Sequence, residues 1–488
     1  MSNLSELLPA GAGAKSAQFV ASGTLGSGVT VALKSDGTVE AVAETNITQG
    51  VGSNTPFQTT GEATYISSTY DSSNKKIVVC YRNESDGYGK AVVGTVSGTS
   101  ITFGTSVSFQ TSSVTYVSAT YDLTNNKVVI AYKHNANSNY GTAIVGTVSG
   151  TSVSFGSPVV FNSAASNWVN ITYNSGNSNV VICYEDSGNS QNGTGIVGTV
   201  SGTSISFGSE STFGASGATP AQIKNVYDSF NDKIVVLYQD QLNSNYGKAV
   251  VGTVSGTSIS FGSETTFDTG STQDIAATYD SLNSKVAVFY RDGNNSAYGT
   301  GIIGTVSGTS ISFGSPVVFE SAGIDWPSCD YNVAANKIIV AYQDKGNSDT
   351  GTYVEGTISG TSISFNTPTI FPSEADAIYT FVTYDSDQYA AVISFFNIDN
   401  ISDPSSFVYQ SNATLTNNTS FIGITDAAIS DTASGSVTIK GGISTNVTGL
   451  TPNQNYYVQA DGTLSTTASD VLAGKAMSST SINLDYTT

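Results

Sequence analysis

The side chains here that could do covalent chemistry are few and poorly matched. The sole histidine, His134, stands in the segment KHNANSNYG. One imidazole cannot supply both a Ser-His-Asp triad and a metal cluster, and its Asn and Ser neighbours read as a solvated loop. No GxSxG elbow, Walker loop, HExxH or CxxC is present. Carboxylates on or near the first strand of a repeat are Glu62, Asp274, Asp325, Asp330 and Asp376. A pair beside a central channel could cleave a glycosidic bond. These five fall at unmatched positions, with no basic triad for a sugar acid and no S-x-D-x-G-x-T-W box of the sialidase kind. Ordinary surface or channel acids are the better reading, and no catalytic residue, metal ligand or cofactor is expected.

Aromatic residues offer a different chemistry. Trp168, Trp326, Tyr116 and Tyr379, with Tyr88, Tyr140, Tyr246 and Tyr298, stand among Asn, Asp and Ser. A flat apolar ring to stack on and short polar groups to bond hydroxyls suit sugar binding. The competing reading is structural, because a Tyr-Gly at a strand start can simply pack on the next repeat. The Asn/Asp loops could hold calcium, but no D-x-D-x-D-G spacing occurs.

A repeat positions all of these residues. Tyr-Asp or Tyr-Asn precedes a short turn and an apolar strand seven times, at Tyr70, Tyr121, Tyr173, Tyr227, Tyr279, Tyr331 and Tyr384. GTVSGTS follows at Gly94, Gly146, Gly198, Gly252 and Gly304, and GTISGTS at Gly356, spaced by 52, 52, 54, 52 and 52 residues. A fixed period of this length means stacked units, none able to bury its apolar face alone. The second unit reads as four strands, over 115–122, 127–133, 140–150 and 151–161, bounded by Asn, Ser and Gly. Seven such units predict an all-β fold, a seven-bladed β-propeller of four-stranded antiparallel blades. The seventh unit, around 378–384, 389–396 and 406–415, lacks a fourth strand, and residues 52–57 resemble 156–161. The N-terminal piece is therefore expected to complete the last blade and remove an open sheet edge.

Turns after the first and third strands hardly vary: YDSSNKK, YDLTNNK, YDSFNDK, and SGTS throughout. Turns after the second strand, such as NESDGYG and DQLNSNYG, and the links between units vary widely. Diverse loops on a rigid scaffold are where recognition usually sits, so the aromatic candidates are assigned to that face.

Composition narrows the partners. Of 488 residues only 11% are charged, and 37 acids against 17 bases leave a net charge of −20. The Lys/Arg clusters that nucleic acid or an anionic membrane needs are absent. No run approaches the roughly 20 apolar residues of a membrane span. The start, MSNLSELLPAGAGAK, lacks the basic and apolar regions of a signal peptide, so synthesis in the cytoplasm is expected. Cys80 and Cys183 occupy equivalent positions in different units, and all three cysteines, with Cys329, read as buried free thiols.

Outside the repeats, 16–44 holds a hairpin turning at Ser35-Asp36-Gly37, and 421–488 is again β-patterned. Each carries a D-G-T turn, at Asp36 and Asp461, and neither is large enough for a core of its own. This predicts 1–50 pairing with 421–488 as one small β domain, around a propeller at 51–420. The strings GTLGSGVTVALKSDGTVEAVAE and FIGIT…GLTPNQNYYVQADGTLSTT…AGKAMSSTSINL resemble segments of virion structural proteins of marine tailed phages. The similarity covers about 100 residues at the two ends. It implies a non-enzymatic virion-surface component, such as a fibre, appendage or decoration protein, made in the bacterial host cytoplasm. Its partners would be other virion proteins, in multiple copies or as a homo-oligomer, and a host-surface glycan. A spacer without ligand and a propeller glycosidase are the alternatives.

Overall fold

The computed structural model describes residues 15–59, 61–214, 218–372, 376–398 and 404–485. Among them the fold is all-β, with short 3-10 turns and no helix long and apolar enough to cross a membrane. Two compact units divide the chain, Thr48–Ser411 and Met1–Ile47 with Asn412–Thr488.

The larger unit is a propeller-like series of antiparallel meanders, one per repeat. Its first strands lie in Ala63–Asp71, Val107–Asp122, Val159–Asn174, Pro220–Asp228, Thr272–Asp280, Val317–Asn332 and Ala377–Asp385. The Tyr-Asp pair has two separate jobs at the end of each. Asp71 Oδ1 accepts from the backbone N–H of Ser73 and of Asn74, both at 3.0 Å, which closes the turn into the second strand. Asp122, Asp228 and Asp280 cap their turns in the same manner. The tyrosine reaches the turn of the preceding unit: Tyr227 Oη accepts from Gly176 N at 3.0 Å and Tyr279 Oη from Phe230 N at 3.3 Å. One dipeptide therefore builds a turn and links neighbouring units.

The first six second strands each bury a tyrosine completely, Tyr81, Tyr132, Tyr184, Tyr238, Tyr290 and Tyr342, and the seventh buries Phe395 in its place. A phenylalanine from a linking segment packs on it, as in Phe109–Tyr132 at 5.3 Å and Phe161–Tyr184 at 5.1 Å between ring centroids. These pairs lie in the apolar layers that join one sheet to the next.

The fourth strand differs from the sequence expectation. Residues 151–161 do not form one strand, because Gly156-Ser157-Pro158 interrupts them. Ser152–Phe155 pairs with one end of the third strand, opposite Gly146 to Ser149. The chain then re-pairs with the other end, Val159 opposite Ala143, and continues as the next unit's first strand within Val159–Asn174. The outer position of the sheet is thus filled by two halves.

In the last sheet the N-terminal piece fills both halves. Val51 pairs with Tyr409, and Thr55 and Pro56 pair with Ser406 and Ser405. Phe57 stands on Tyr81 at 5.3 Å, the place taken by Phe161 two units later. The third strand of that unit ends at Gln410, so residues 413–415 are not part of it. Ala413–Thr416 instead pairs with Glu44–Ile47 in the smaller unit.

The smaller unit interleaves the chain's two ends. Ser16–Val20 pairs with Ser434–Ile439, and Thr30–Leu33 with Phe421–Thr425, in one five-stranded sheet. A second sheet comes from the C-terminal segment alone. Asp36 Oδ1 accepts from Thr38 N and Oγ1 at 2.9 and 2.6 Å, and Asp461 does the same with Thr463. These bonds favour the charged carboxylate and hold both acids below the usual range.

His134 is not a loop residue. It ends the strand Lys127–His134, half-buried, with Ser112 Oγ 2.7 Å from Nε2. Desolvation holds its imidazole below the usual value. Cys80, Cys183 and Cys329 are free and buried, and burial pushes each thiol up.

Candidate functional site

Every first strand of the larger unit carries a β-bulge at the same register. The bulged residues are Tyr65, Tyr116, Trp168, Gln222, Asp274, Trp326 and Tyr379, one per repeat, each five positions before the tyrosine of its Tyr-Asp or Tyr-Asn pair. All seven are left-handed, with φ between +49° and +54°. Glycine would adopt that conformation freely, whereas an aromatic residue there is strained by roughly 1–3 kcal/mol. The fold holds five aromatic side chains, with Gln222 and Asp274, in this conformation. A bulge re-aims its side chain, and here all seven line one cavity of about 410 Å³.

The cavity wall is asymmetric. Trp326 and Tyr379 lie 4.4 Å apart between ring centroids, Tyr379 and Tyr65 6.3 Å, Tyr65 and Tyr116 5.5 Å, and Tyr116 and Trp168 5.1 Å. These five rings form a continuous arc from five different strands. Trp326 is the most open, 38% exposed. The gap in the arc is polar, closed by Gln222 and Asp274 on the fourth and fifth first strands, with Lys224 and Asn225 deeper. Lys133 adds a cation on the aromatic side, its Nζ 5.6 Å from the Tyr116 ring centre and 2.8 Å from Asn167 Oδ1.

Electrostatics sharpens that asymmetry. Desolvation, then the nearby charge of Asp325, pushes the Asp274 carboxyl up to about 6, against the pull of Arg291 and Lys224. Desolvation holds Lys224 below the ordinary lysine value. Outside the lining residues, Arg291 pairs with Asp325 at 3.2 Å, Lys345 with Asp325 at 3.1 Å, and Arg82 with Glu84 at 3.1 Å.

Of the eight aromatic candidates, Tyr116, Trp168, Trp326 and Tyr379 come together here. Tyr88, Tyr140, Tyr246 and Tyr298 do not: each opens a third strand, half-buried, and none lines the cavity. Tyr65 and Gln222 were missed by sequence reasoning, although counting five residues back from each Tyr-Asp pair would have found both. The candidate carboxylates also separate. Asp274 lines the cavity, whereas Asp325 is ion-paired and Asp376 accepts from Gln343 Nε2 at 2.7 Å. Asp330 accepts from the backbone N–H of Tyr331 and of Tyr384, both at 2.8 Å, and Glu62 is exposed.

No protein-family model and no curated protein sequence matches this chain. The fold does match solved structures. The BP39L lectin from Burkholderia pseudomallei superposes with a TM-score of 0.53 at 10% identity, covering 74% of this chain and 99% of that one. AofleA from Arthrobotrys oligospora covers 71% of this chain and 97% of its own at 9% identity, with a TM-score of 0.41. A leech intramolecular trans-sialidase gives 0.44 at 7% identity, over 74% of this chain and 68% of its own. At such identities the first likeness speaks to fold alone, and the other two are too loose to carry an argument.

Proposed function

We propose that this chain is a non-enzymatic virion-surface protein whose larger unit is a closed seven-bladed propeller that binds a host-surface glycan at the aromatic cavity. The observation that carries the reading is the set of left-handed bulges, which present five touching aromatic rings opposite a polar gap. Sugars have apolar faces that stack on such rings and hydroxyls that bond the amides and carboxylate of the gap. Closure draws support from contacts between the first and last units, where Ser68 Oγ lies 2.6 Å from Thr383 Oγ1 and Tyr65 faces Tyr379. The lectin named above shares the fold, which is compatible with this use. The virion role rests on the phage-like strings at the chain ends, with the smaller unit as the anchor to other virion proteins.

Hydrolysis by paired carboxylates has less support, because Asp274 is the single acid among the residues lining the cavity. A glycan array run beside a reducing-sugar release assay tests the whole reading. Binding without release is expected. Release would make the protein a glycosidase, and neither binding nor release would leave a spacer or decoration role.

A further inference from the structure

The polar gap has a feature that binding of a neutral sugar leaves unexplained. Lys224 lines the cavity with its ammonium desolvated, and among the described residues it makes no hydrogen bond or ion pair. The residue is half-buried, and the charge of Asp274 in the same gap pulls on its ammonium without an ion pair forming between them. Lys224 also departs from a link that four of the seven units make. At the equivalent position Ser67, Ser118, Asn170 and Ser328 each accept a backbone N–H of the next unit, those of Ala119, Ile171, Asn225 and Val382, at 2.9 to 3.2 Å. Ala276, Phe381 and the ammonium of Lys224 have no lone pair and cannot make that bond, and of these three Lys224 alone brings a charge. The fourth unit thus gives up a link between units and places a cation in the cavity instead. Sites where a sequence departs from its own local rule are often functional.

The same strand supplies matching acceptors. Gln222 Oε1 and Asn225 Oδ1 are buried, line the cavity and have no hydrogen-bond partner. Each such atom costs about 1–3 kcal/mol unless something bonds to it. Arg291, Arg82 and Lys345 do not line the cavity and are ion-paired with acids, which leaves Lys224 as the one base among the residues lining it.

Resting on the glycan reading above, we propose that the cavity selects a sugar bearing a carboxylate, such as a uronic acid, and that Lys224 Nζ binds that carboxylate. The ring face of the sugar stacks on the aromatic arc, and its hydroxyls meet Gln222, Asn225 and Asp274. A quaternary ammonium would also suit the aromatic arc, but Lys224 would repel it. A phosphate monoester fits less well, because its nearly two negative charges exceed one ammonium and no arginine is among the lining residues. With a net charge of −20 the molecule repels anions in general, so selection for an acid must come from a local cation.

The test is calorimetric titration with matched pairs, methyl glucuronide against methyl glucoside and methyl galacturonide against methyl galactoside. Wild-type protein should favour one acid over its neutral partner at least ten-fold. Lys224→Met, which keeps the stem and removes the charge, should abolish the preference and retain neutral-sugar binding. Lys224→Gln is the second variant should Lys224→Met fail to fold. Equal binding of acid and neutral forms, or a preference that survives the loss of charge, overturns the proposal and leaves glycan binding standing. No binding of any of the four sugars by wild type, with Trp326 fluorescence unchanged, overturns both.

Discussion

The bulged residues make predictions that stacking and charge separate. Trp326→Gly places a residue with no φ strain at +54° and removes a ring that is 38% exposed. Unfolding should therefore shift little, while glycan affinity falls about five-fold, since one stacked ring is worth about 1 kcal/mol. Thermal denaturation and titration of the same variant check both halves, and a large loss of stability would show Trp326 to be core. Asp274 supplies a pH signature. Its carboxyl is raised from the ordinary 3.8 to about 6, first by burial and then by Asp325, with Arg291 and Lys224 opposing. A raised carboxyl contributes stability that is complete below the unfolded value and is lost as pH rises through about 6. Asp274→Asn should thus stabilise the protein by on the order of 2 kcal/mol at pH 8 and by almost nothing at pH 4. A difference independent of pH, measured by denaturant unfolding, would refute that environment.

At the scale of elements, the repeated SGTS hairpin is a local device and should behave as one. Gly150 has φ +60°, and a Cβ built there meets nothing within 4 Å. Space is therefore not what demands glycine; the left-handed backbone is. Gly150→Val should cost about 1–2 kcal/mol from backbone strain, and Gly150→Asn much less, because Asn tolerates this region. Neither should change glycan affinity, since this turn contributes nothing to the cavity lining. Loss of binding in a folded Gly150→Asn protein would place the recognition face on the wrong side.

For the whole molecule, the decisive element is the short N-terminal piece in the last sheet. The chain 48–411 keeps Val51, Thr55 and Pro56 against Tyr409, Ser406 and Ser405. It should fold as a soluble, cooperative unit that still binds glycan. Starting at residue 59 instead uncovers the strand Ser405–Gln410 and removes Phe57 from Tyr81. That shorter chain should aggregate or melt well below the longer one, because an unpaired edge strand and a lost aromatic contact act together. Light scattering during thermal unfolding compares the two. Equal stability would show that the piece does not complete the sheet.

Much of this architecture was legible in the residues themselves. The period near 52, the Tyr-Asp turns and the SGTS hairpins are local signals, since each is satisfied by hydrogen bonds within a few residues. Those signals were sufficient to predict the all-β class, the strand order within a unit and the aromatic character of four cavity residues. Tyr88, Tyr140, Tyr246 and Tyr298 stand apart from the cavity, and composition alone cannot tell a ring on a third strand from one on a bulge. The arc itself exists only in three dimensions: Trp326, Tyr379, Tyr65, Tyr116 and Trp168 span more than 250 positions yet touch in series. Lys224 shows the same limit. In the sequence it is one base among 17, and only the packing of seven first strands partly desolvates it and brings it into the cavity with Asp274. Local sequence encodes turns and strands through short-range bonds, whereas desolvation and side-chain convergence depend on neighbours that only the tertiary fold brings together.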